Sequence, residues 1–366
     1  MQGSVLKLTH QEITRVRKNL IAWYETHKRD LPWRKTTDPY FIWVSEVMLQ
    51  QTQVNTVIPY YHRFIRRFKS VRQLSRADLQ AVLKLWEGLG YYGRARNLHR
   101  AAQIVAREYS GAVPNQWELL RRLPGVGDYI AAAVLSIAFN QPFAVVDGNV
   151  KRVLARLLKI DVPVNGSQAA VTYRHTATEL LDRRRPGAFN QALMELGAII
   201  CKPGQPACSA CPLSSLCMAF QTDSLAAYPK KNKKRPTPQY RLAVGVVFKN
   251  GKVLITQRRP DGLLGGLWEF PGGKIEKDES PEAACVREIK EEVNLSVRID
   301  CHLAQVKHAY THFKIIMEVY CCTYLDGRVR LNGPVAHRWI RLPEIHKFPV
   351  PKANHKFIPK LMKLTF

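Results

Sequence analysis

The sequence predicts an all-α region through residue 227, followed by an α/β domain over 239–366. Three observations carry that reading. In the first part, apolar residues recur at helical spacing between caps and prolines. The run Tyr228-Pro229-Lys230-Lys231-Asn232-Lys233-Lys234-Arg235-Pro236-Thr237-Pro238 is basic, proline-containing and free of acids, which marks a linker over 228–238. From Leu242 the pattern changes to short apolar runs, Leu242–Phe248 and Val253–Ile255, around an Asn250-Gly251 turn.

At 366 residues the chain is long enough for two or three domains, each with its own core. Lys and Arg number 56 against 29 Asp and Glu, a net charge of +27. Such an excess suits a polyanion, nucleic acid ahead of an acidic membrane surface. There is no run of about 18 apolar residues, so no transmembrane helix is expected. Met1–Lys7 lacks the apolar stretch of a signal peptide, which points to a cytoplasmic protein. The eight cysteines then read as ligands or buried thiols more than as disulfides. The linker either lies along phosphates or is merely solvated; composition leaves both open.

In chain order, Thr9-x-x-Glu12 is a capping box that opens a helix over 9–27. Arg29-Asp30-Leu31-Pro32-Trp33-Arg34 breaks it. Asp38 and Pro39 suit the N-cap and first turn of a helix that contains 42–52. On that helix Glu46 has Ile42, Trp43, Leu49 and Gln50 as its neighbours one turn away. A carboxylate so placed is desolvated, which raises its pKa and lets it hold a proton near neutral pH. Residues 60–87 alternate apolar and basic positions at helical spacing. The stretch Gly88-Leu89-Gly90-Tyr91-Tyr92-Gly93-Arg94-Ala95-Arg96 suits a loop that wedges into bases and holds phosphates.

Trp117 to Leu123 reads as a short helix ended by Pro124. Gly125-Val126-Gly127 supplies a tight turn, and Asp128 is expected to N-cap a buried helix over 129–139. Backbone N–H groups at such a helix start form an anion site that fits a nucleic-acid phosphate. From Val146-Asp147-Gly148-Asn149 a basic helix runs to Lys159; taken alone, Asp147 and Asn149 are consistent with a mere cap and turn. Phe189–Ala198 is another apolar helix with an isolated Glu195, either a pocket residue or a structural hydrogen-bonding group.

This glycine hairpin, with an aspartate about twenty residues on, resembles the helix-hairpin-helix base-excision DNA glycosylases. Enzymes of the endonuclease III type carry a lysine in the hairpin where this chain has Tyr129, as adenine glycosylases of the MutY type do. A tyrosine forms no Schiff base, so base release without a strong strand-cleaving step is implied. The 42–52 segment is similar to the MutY-type catalytic segment. The resemblance implies Glu46 and Asp147 as the catalytic pair, with Tyr129 and Asn149 in support. It also implies DNA contacts at Gly125, Gly127, Arg29 and Trp33, and a wedge made by Gln51 and Tyr91.

Cys201, Cys208, Cys211 and Cys217 are dense enough to close one tetrahedral site. From spacing alone zinc and a 4Fe-4S cluster are both admissible. The pattern is similar to the one that closes the endonuclease III and MutY catalytic domains, which implies a structural 4Fe-4S cluster. Cys285, Cys301, Cys321 and Cys322 lack such spacing and read as buried thiols.

In the second domain Glu288, Glu291 and Glu292 fall on one helical face. Three carboxylates repel unless a hard cation sits among them, so they read as a Mg²⁺ site. Gly273, Glu279 and Arg287-Glu288-x-x-Glu291-Glu292 have the spacing of a Nudix box and resemble the MutT-type 8-oxo-dGTP hydrolases. Asn294 stands where that box has glycine; the position needs a left-handed backbone, which asparagine tolerates. His308–Phe313 is similar to the MutY strand that recognises 8-oxoguanine, which puts Tyr310, Thr311 and His312 against the lesion. Asn354 resembles the base-reading asparagine of the hydrolases.

Together the resemblances imply a multidomain protein. An all-α helix-hairpin-helix glycosylase of two lobes, 29–136 and 1–28 with 137–227, is followed by an α/β Nudix-like domain; the second lobe holds the cluster. The implied reaction is hydrolysis of the N-glycosidic bond of adenine opposite 8-oxoguanine or guanine in double-stranded DNA, by a monomer at a bacterial nucleoid. The intact box adds an alternative, a bifunctional enzyme that also hydrolyses 8-oxo-dGTP. The carboxyl groups are expected to differ, with Glu46 raised in pKa and Asp147 ordinary.

Overall fold

The computed structural model describes residues 8–233 and 236–364. Met1–Lys7, on which the expectation of no signal peptide rests, and the linker residues Lys234 and Arg235 lie outside the described residues. The chain forms two compact units. One takes the chain through Ser75 and again from Arg100 to the linker; the other joins Arg76–His99 to the chain beyond the linker.

In the first unit Thr9 opens the helix His10–His27 as expected. Its hydroxyl accepts from the Glu12 N–H at 3.3 Å, and the Glu12 carboxylate accepts from the Thr9 N–H at 2.7 Å. Leu20 and Ile21 of this helix join the helices Gly148–Leu158, Ala169–Leu180 and Pro186–Ile199 in one apolar core. Asp38 caps the helix Pro39–Leu49 through the Tyr40 N–H at 2.8 Å. That helix ends at Leu49, short of the expected Thr52, because Gln51 takes a left-handed backbone with φ of 54°.

The helices Trp117–Arg121 and Asp128–Phe139 flank the glycine turn. Gly125 has φ of 77°, a conformation that any Cβ strains. Gly127, not Asp128, is the N-cap, and no side chain caps the helix. The Asp128 carboxylate is instead taken by Arg121 at 2.8 Å and Arg174 at 2.7 Å. Two guanidinium partners outcompete a backbone N–H for one carboxylate.

The second unit holds a mixed sheet of β1 (Gln239–Lys249), β2 (Lys252–Gln257), β3 (Trp268–Glu269), β4 (Gly272–Lys274), β5 (Ser296–Ala309), β6 (Lys314–Asp326) and β7 (Ala336–Ile340). The order is β3-β2-β1-β6-β5, with β4 on β1 and β7 on β2. Only the β1–β6 pair is parallel among the described strands. Asn250 and Gly251 both have positive φ, as a two-residue hairpin requires. Alternation along β1 splits the core. Ala243 and Val247 pack with the helix Pro281–Val293, while Val244 and Val246 pack on the opposite face with Phe270 and Phe357. Asn294 closes the helix in the left-handed region, φ 58°, as expected.

Two features depart from the sequence reading. The segment 310–313 is a turn between β5 and β6 rather than a strand, so strand alternation does not orient Tyr310, Thr311 and His312. Cys301 is exposed, whereas Cys285, Cys321 and Cys322 are buried as expected. The reason is position: β5 is an edge strand, and its pairing shifts register between Ile299 and Cys301.

Helical periodicity does not announce that Arg76–His99 packs with the sheet domain. The bonds that hold it there are polar. Trp268 Nε1 donates to Gln80 Oε1 at 3.0 Å, the Val350 N–H donates to Glu87 Oε1 at 2.8 Å, and Arg96 donates to the Gly265 carbonyl at 2.6 Å. Among the described residues no helix is long and apolar enough to cross a membrane.

Candidate active site

Glu46 sits on a helix that is apolar on nearly every face, so the carboxyl is carried into the interior and is only 4% exposed. Burial pushes its pKa up to about 7; the Tyr129 hydroxyl and Arg34 oppose this, and Asp147 adds to it. Tyr129 lies one residue into the hairpin helix and donates to Glu46 Oε2 at 2.5 Å. The same hydroxyl lies 3.7 Å from Met194 Sδ. The hairpin helix thus does two things: its start presents the glycine turn, and its first turn grips the acid.

Asp147 is the N-cap of the helix Gly148–Leu158. Its Oδ1 accepts from the Val150 N–H at 2.7 Å and its Oδ2 from Asn149 Nδ2 at 3.1 Å. Burial raises the Asp147 pKa as well, against these hydrogen bonds and the Arg152 charge. The expectation of an ordinary pKa is therefore corrected: the cavity desolvates both carboxyls, and sequence neighbours do not reveal this. Asn149 is held in turn by Arg152, whose Nη2 reaches Asn149 Oδ1 at 2.8 Å and the Gly197 carbonyl at 2.7 Å. A Cβ on Gly197 would lie 2.6 Å from the Asn149 Cβ, so the helix Pro186–Ile199 presses directly on this residue.

Glu195, 1% exposed, serves both roles that the sequence left open. It lines the cavity shared by Glu46, Tyr129 and Asp147, which has a volume of about 140 Å³. It also anchors Arg29 at 2.7 Å and Arg34 at 2.8 Å. Burial alone would raise its pKa, but hydrogen bonds from the two guanidiniums more than offset this and hold the carboxyl down to about 2. Arg29 and Trp33 line the same cavity; Trp33 is buried with its ring 5.4 Å from Tyr61. Sequence reasoning missed Arg34, Arg152, Gln191 and Met194, of which Arg34, Gln191 and Met194 also line the cavity. The one available signal was Arg34, a second arginine beside Arg29 in the loop that faces an isolated buried acid.

Gly125 and Gly127 form the turn, and a Cβ on Gly127 would meet nothing within 4 Å. Internal packing therefore does not require that glycine, which leaves its surface open to a backbone phosphate. Gln51 is exposed in its left-handed turn. Tyr91 is also left-handed, φ 49°, but its hydroxyl is buried and its ring meets His312 edge-on at 6.2 Å. Thr311 and His312 are exposed, while the half-buried Tyr310 stacks on Phe313 at 4.7 Å.

Cys201, Cys208, Cys211 and Cys217 are all half-buried thiols whose charges act on one another. Burial pushes the Cys211 thiol up to about 12. Among the described residues no three His, Cys, Asp or Glu side chains are gathered closely enough to hold a metal ion. The four are thiols alone, the donor set that a 4Fe-4S cluster takes.

Among the described residues the carboxylates of the expected Mg²⁺ site are not gathered either. Arg287 pairs with Glu279 at 2.8 Å, Glu288 at 3.2 Å and Glu291 at 3.1 Å. Glu292 instead accepts from the Gly272 N–H at 3.1 Å, and burial pushes its pKa up to about 7. A hard cation would have to displace the guanidinium. Glu292 lines a cavity of about 620 Å³ together with Arg258, Tyr310 and Asn354. Asn354 is 5% exposed, and its Nδ2 has no hydrogen-bond partner.

Residues 44–166 match the HhH-GPD superfamily of base excision DNA repair proteins, and residues 243–360 match the NUDIX domain. The chain is 38% identical to the adenine DNA glycosylase of Mus musculus, over 94% of this chain and 77% of that relative. It is 37% identical to the adenine DNA glycosylase of Buchnera aphidicola subsp. Schizaphis graminum, over 93% and 96%. A thermostable thymine-DNA glycosylase superposes with a TM-score of 0.52 at 30% identity, over 58% of this chain and 98% of that one. A trapped endonuclease III–DNA covalent intermediate superposes with a TM-score of 0.51 at 24% identity, over 59% and 99%, which shows the fold. The expected pairing of a helix-hairpin-helix glycosylase fold with a Nudix-like domain is thereby borne out.

The Gly197 contact generates a prediction. Gly197→Ala pushes Asn149 and the Asp147 cap out of place, and turnover falls about a hundredfold. Single-turnover kinetics beside a thermal melt checks this, since the loss should exceed anything explained by the fraction unfolded.

Proposed function

The chain belongs to the adenine DNA glycosylase family of base-excision repair enzymes, and on that premise we propose that it releases adenine opposite 8-oxoguanine or guanine in double-stranded DNA. The observation that supports this most directly is a protonatable Glu46 and a helix-capping Asp147 lining one buried cavity. The target adenine turns out of the stack into that cavity. Protonated Glu46 donates to adenine N7, which makes the base a better leaving group. Positive charge develops on the sugar, and it stabilises the ionised form of Asp147 against the desolvation that otherwise raises its pKa. Tyr129 holds Glu46 and Asn149 holds Asp147. With a phenol and no amine in the hairpin, release by water is favoured over a Schiff base.

The net charge of +27 and the open glycine turn support a grip on DNA phosphates. Gln51 and Tyr91 are taken as the wedge, and Thr311 and His312, beside Tyr310, as the groups that meet 8-oxoguanine. Cys201, Cys208, Cys211 and Cys217 would hold a 4Fe-4S cluster, which supplies a structural and redox-capable centre.

Asp147→Asn is expected to abolish adenine release while mismatch binding stays measurable in a gel-shift titration. Wild-type-like release by that protein would overturn the assignment. For Glu46 the sign is set by the raised pKa: the reactive form is protonated, complete below about 7 and lost above it. The single-turnover rate should fall about tenfold per pH unit on the alkaline side, and Glu46→Gln should abolish that limb.

A second reading is favoured by one observation, the unpartnered Asn354 amide buried at the cavity of the Nudix-like domain. There the domain would also bind and hydrolyse free 8-oxo-dGTP. It expects Mg²⁺-dependent release of pyrophosphate that Glu292→Gln removes. Equal turnover by both proteins would leave the domain as a reader of the lesion alone.

A further inference from the structure

Four cysteines of the second unit have no part in the reaction, and they form two pairs. Cys301 on β5 and Cys321 on β6 are register partners in an antiparallel ladder. Such partners have Cα atoms about 4.5–5.5 Å apart, inside the range of about 4.4–6.8 Å that a disulfide spans. As register partners directly opposite one another, the two side chains share a face of the sheet. The next residue of β6, Cys322, points to the other face, where its Sγ lies 4.0 Å from that of Cys285.

Access separates the pairs. Cys285 and Cys322 are both buried, which shields them from an oxidant dissolved in water. Cys301 is exposed on the edge strand, and Cys321 is buried beside it on the neighbouring strand. Burial pushes the Cys321 thiol up to about 12, against the opposing charge of Lys360, so the exposed Cys301 is the sulfur that meets an oxidant first. A solvent-facing thiol backed by a second one is the arrangement of an oxidisable pair with its own resolving cysteine.

We propose that Cys301 and Cys321 are an oxidation site that closes into an intramolecular disulfide on exposure to a hydroperoxide. The Cys301 thiolate attacks one peroxide oxygen and the O–O bond breaks, which leaves a sulfenic acid and hydroxide. The Cys321 sulfur then attacks the sulfenic sulfur, the S–O bond breaks, and the two protons end in water. In net terms two thiols and one hydrogen peroxide give one disulfide and two waters, with two electrons passing from sulfur to oxygen. The bond pins the register of the β5–β6 hairpin, whose turn carries Tyr310–Phe313, and it uses no residue of the catalytic cavity.

The test treats the full-length protein with hydrogen peroxide, alkylates the remaining thiols and maps peptides without reduction. The expected product is a dithiothreitol-sensitive peptide pair that carries Cys301 and Cys321. It should be absent from Cys301→Ser and retained in Cys285→Ser, while adenine release by unoxidised Cys301→Ser equals that of the parent. Since Cys301 is exposed, the serine variant is not expected to disturb folding. Recovery of Cys321 as an alkylated thiol beside Cys301 as sulfinic or sulfonic acid would overturn the proposal. So would linkage of Cys301 only to a second chain.

Discussion

The catalytic unit depends on one carboxyl being kept out of water. Glu46 rides into the interior on a helix with almost no polar face, and desolvation, not a charged partner, moves its pKa into the neutral range. An acid made this way is sensitive to its surroundings. The Tyr129 hydroxyl that holds it also pulls its pKa back down, so positioning and acidity trade against each other at one oxygen. A shorter or more polar helix would still form, yet its glutamate would ionise near the ordinary carboxylate value and have no proton to give at neutral pH.

The remaining acids of the cavity make sense beside that constraint. Three carboxyls share one small volume, and they avoid mutual repulsion by taking different partners. Glu195 is neutralised by two guanidiniums, Asp147 is spread over a helix N-terminus and the Asn149 amide, and Glu46 carries its proton. Each solution uses a different part of the fold. The arginines come from the loop after the first helix, the cap from the start of Gly148–Leu158, and the buried acid from the middle of Pro39–Leu49. Close helix packing at Gly197 then sets where Asn149 sits.

The second unit shows the same logic applied to a different problem. Arg287 compensates three acids of the Nudix box, whereas the half-buried Glu292 is raised in pKa and lines one cavity with the unpartnered amide of Asn354. The segment Arg76–His99 is part of this unit through Gln80, Glu87 and Arg96. The loop that carries Tyr91 is therefore fastened to the same domain that carries Thr311 and His312.

Much of this was legible along the chain, because it rests on local rules. The Thr9–Glu12 capping box, Asp38 before Pro39, the Asn250-Gly251 turn and the left-handed Asn294 all act within a few residues, and the structure has them as read. Short-range errors had two sources. Asp128 gave up its cap to the charged partners Arg121 and Arg174, and the helix after Asp38 stopped where Gln51 turns left-handed. The sequence by itself determined the fold classes and their order along the chain, because periodicity, caps and motif spacing are properties of neighbours in the chain. The tertiary structure alone decided that Glu46, Asp147 and Glu195 share a cavity, that Asp147 is desolvated too, and that Cys301 faces solvent. Burial and charge partnership depend on residues far apart in sequence, and no window along the chain contains them.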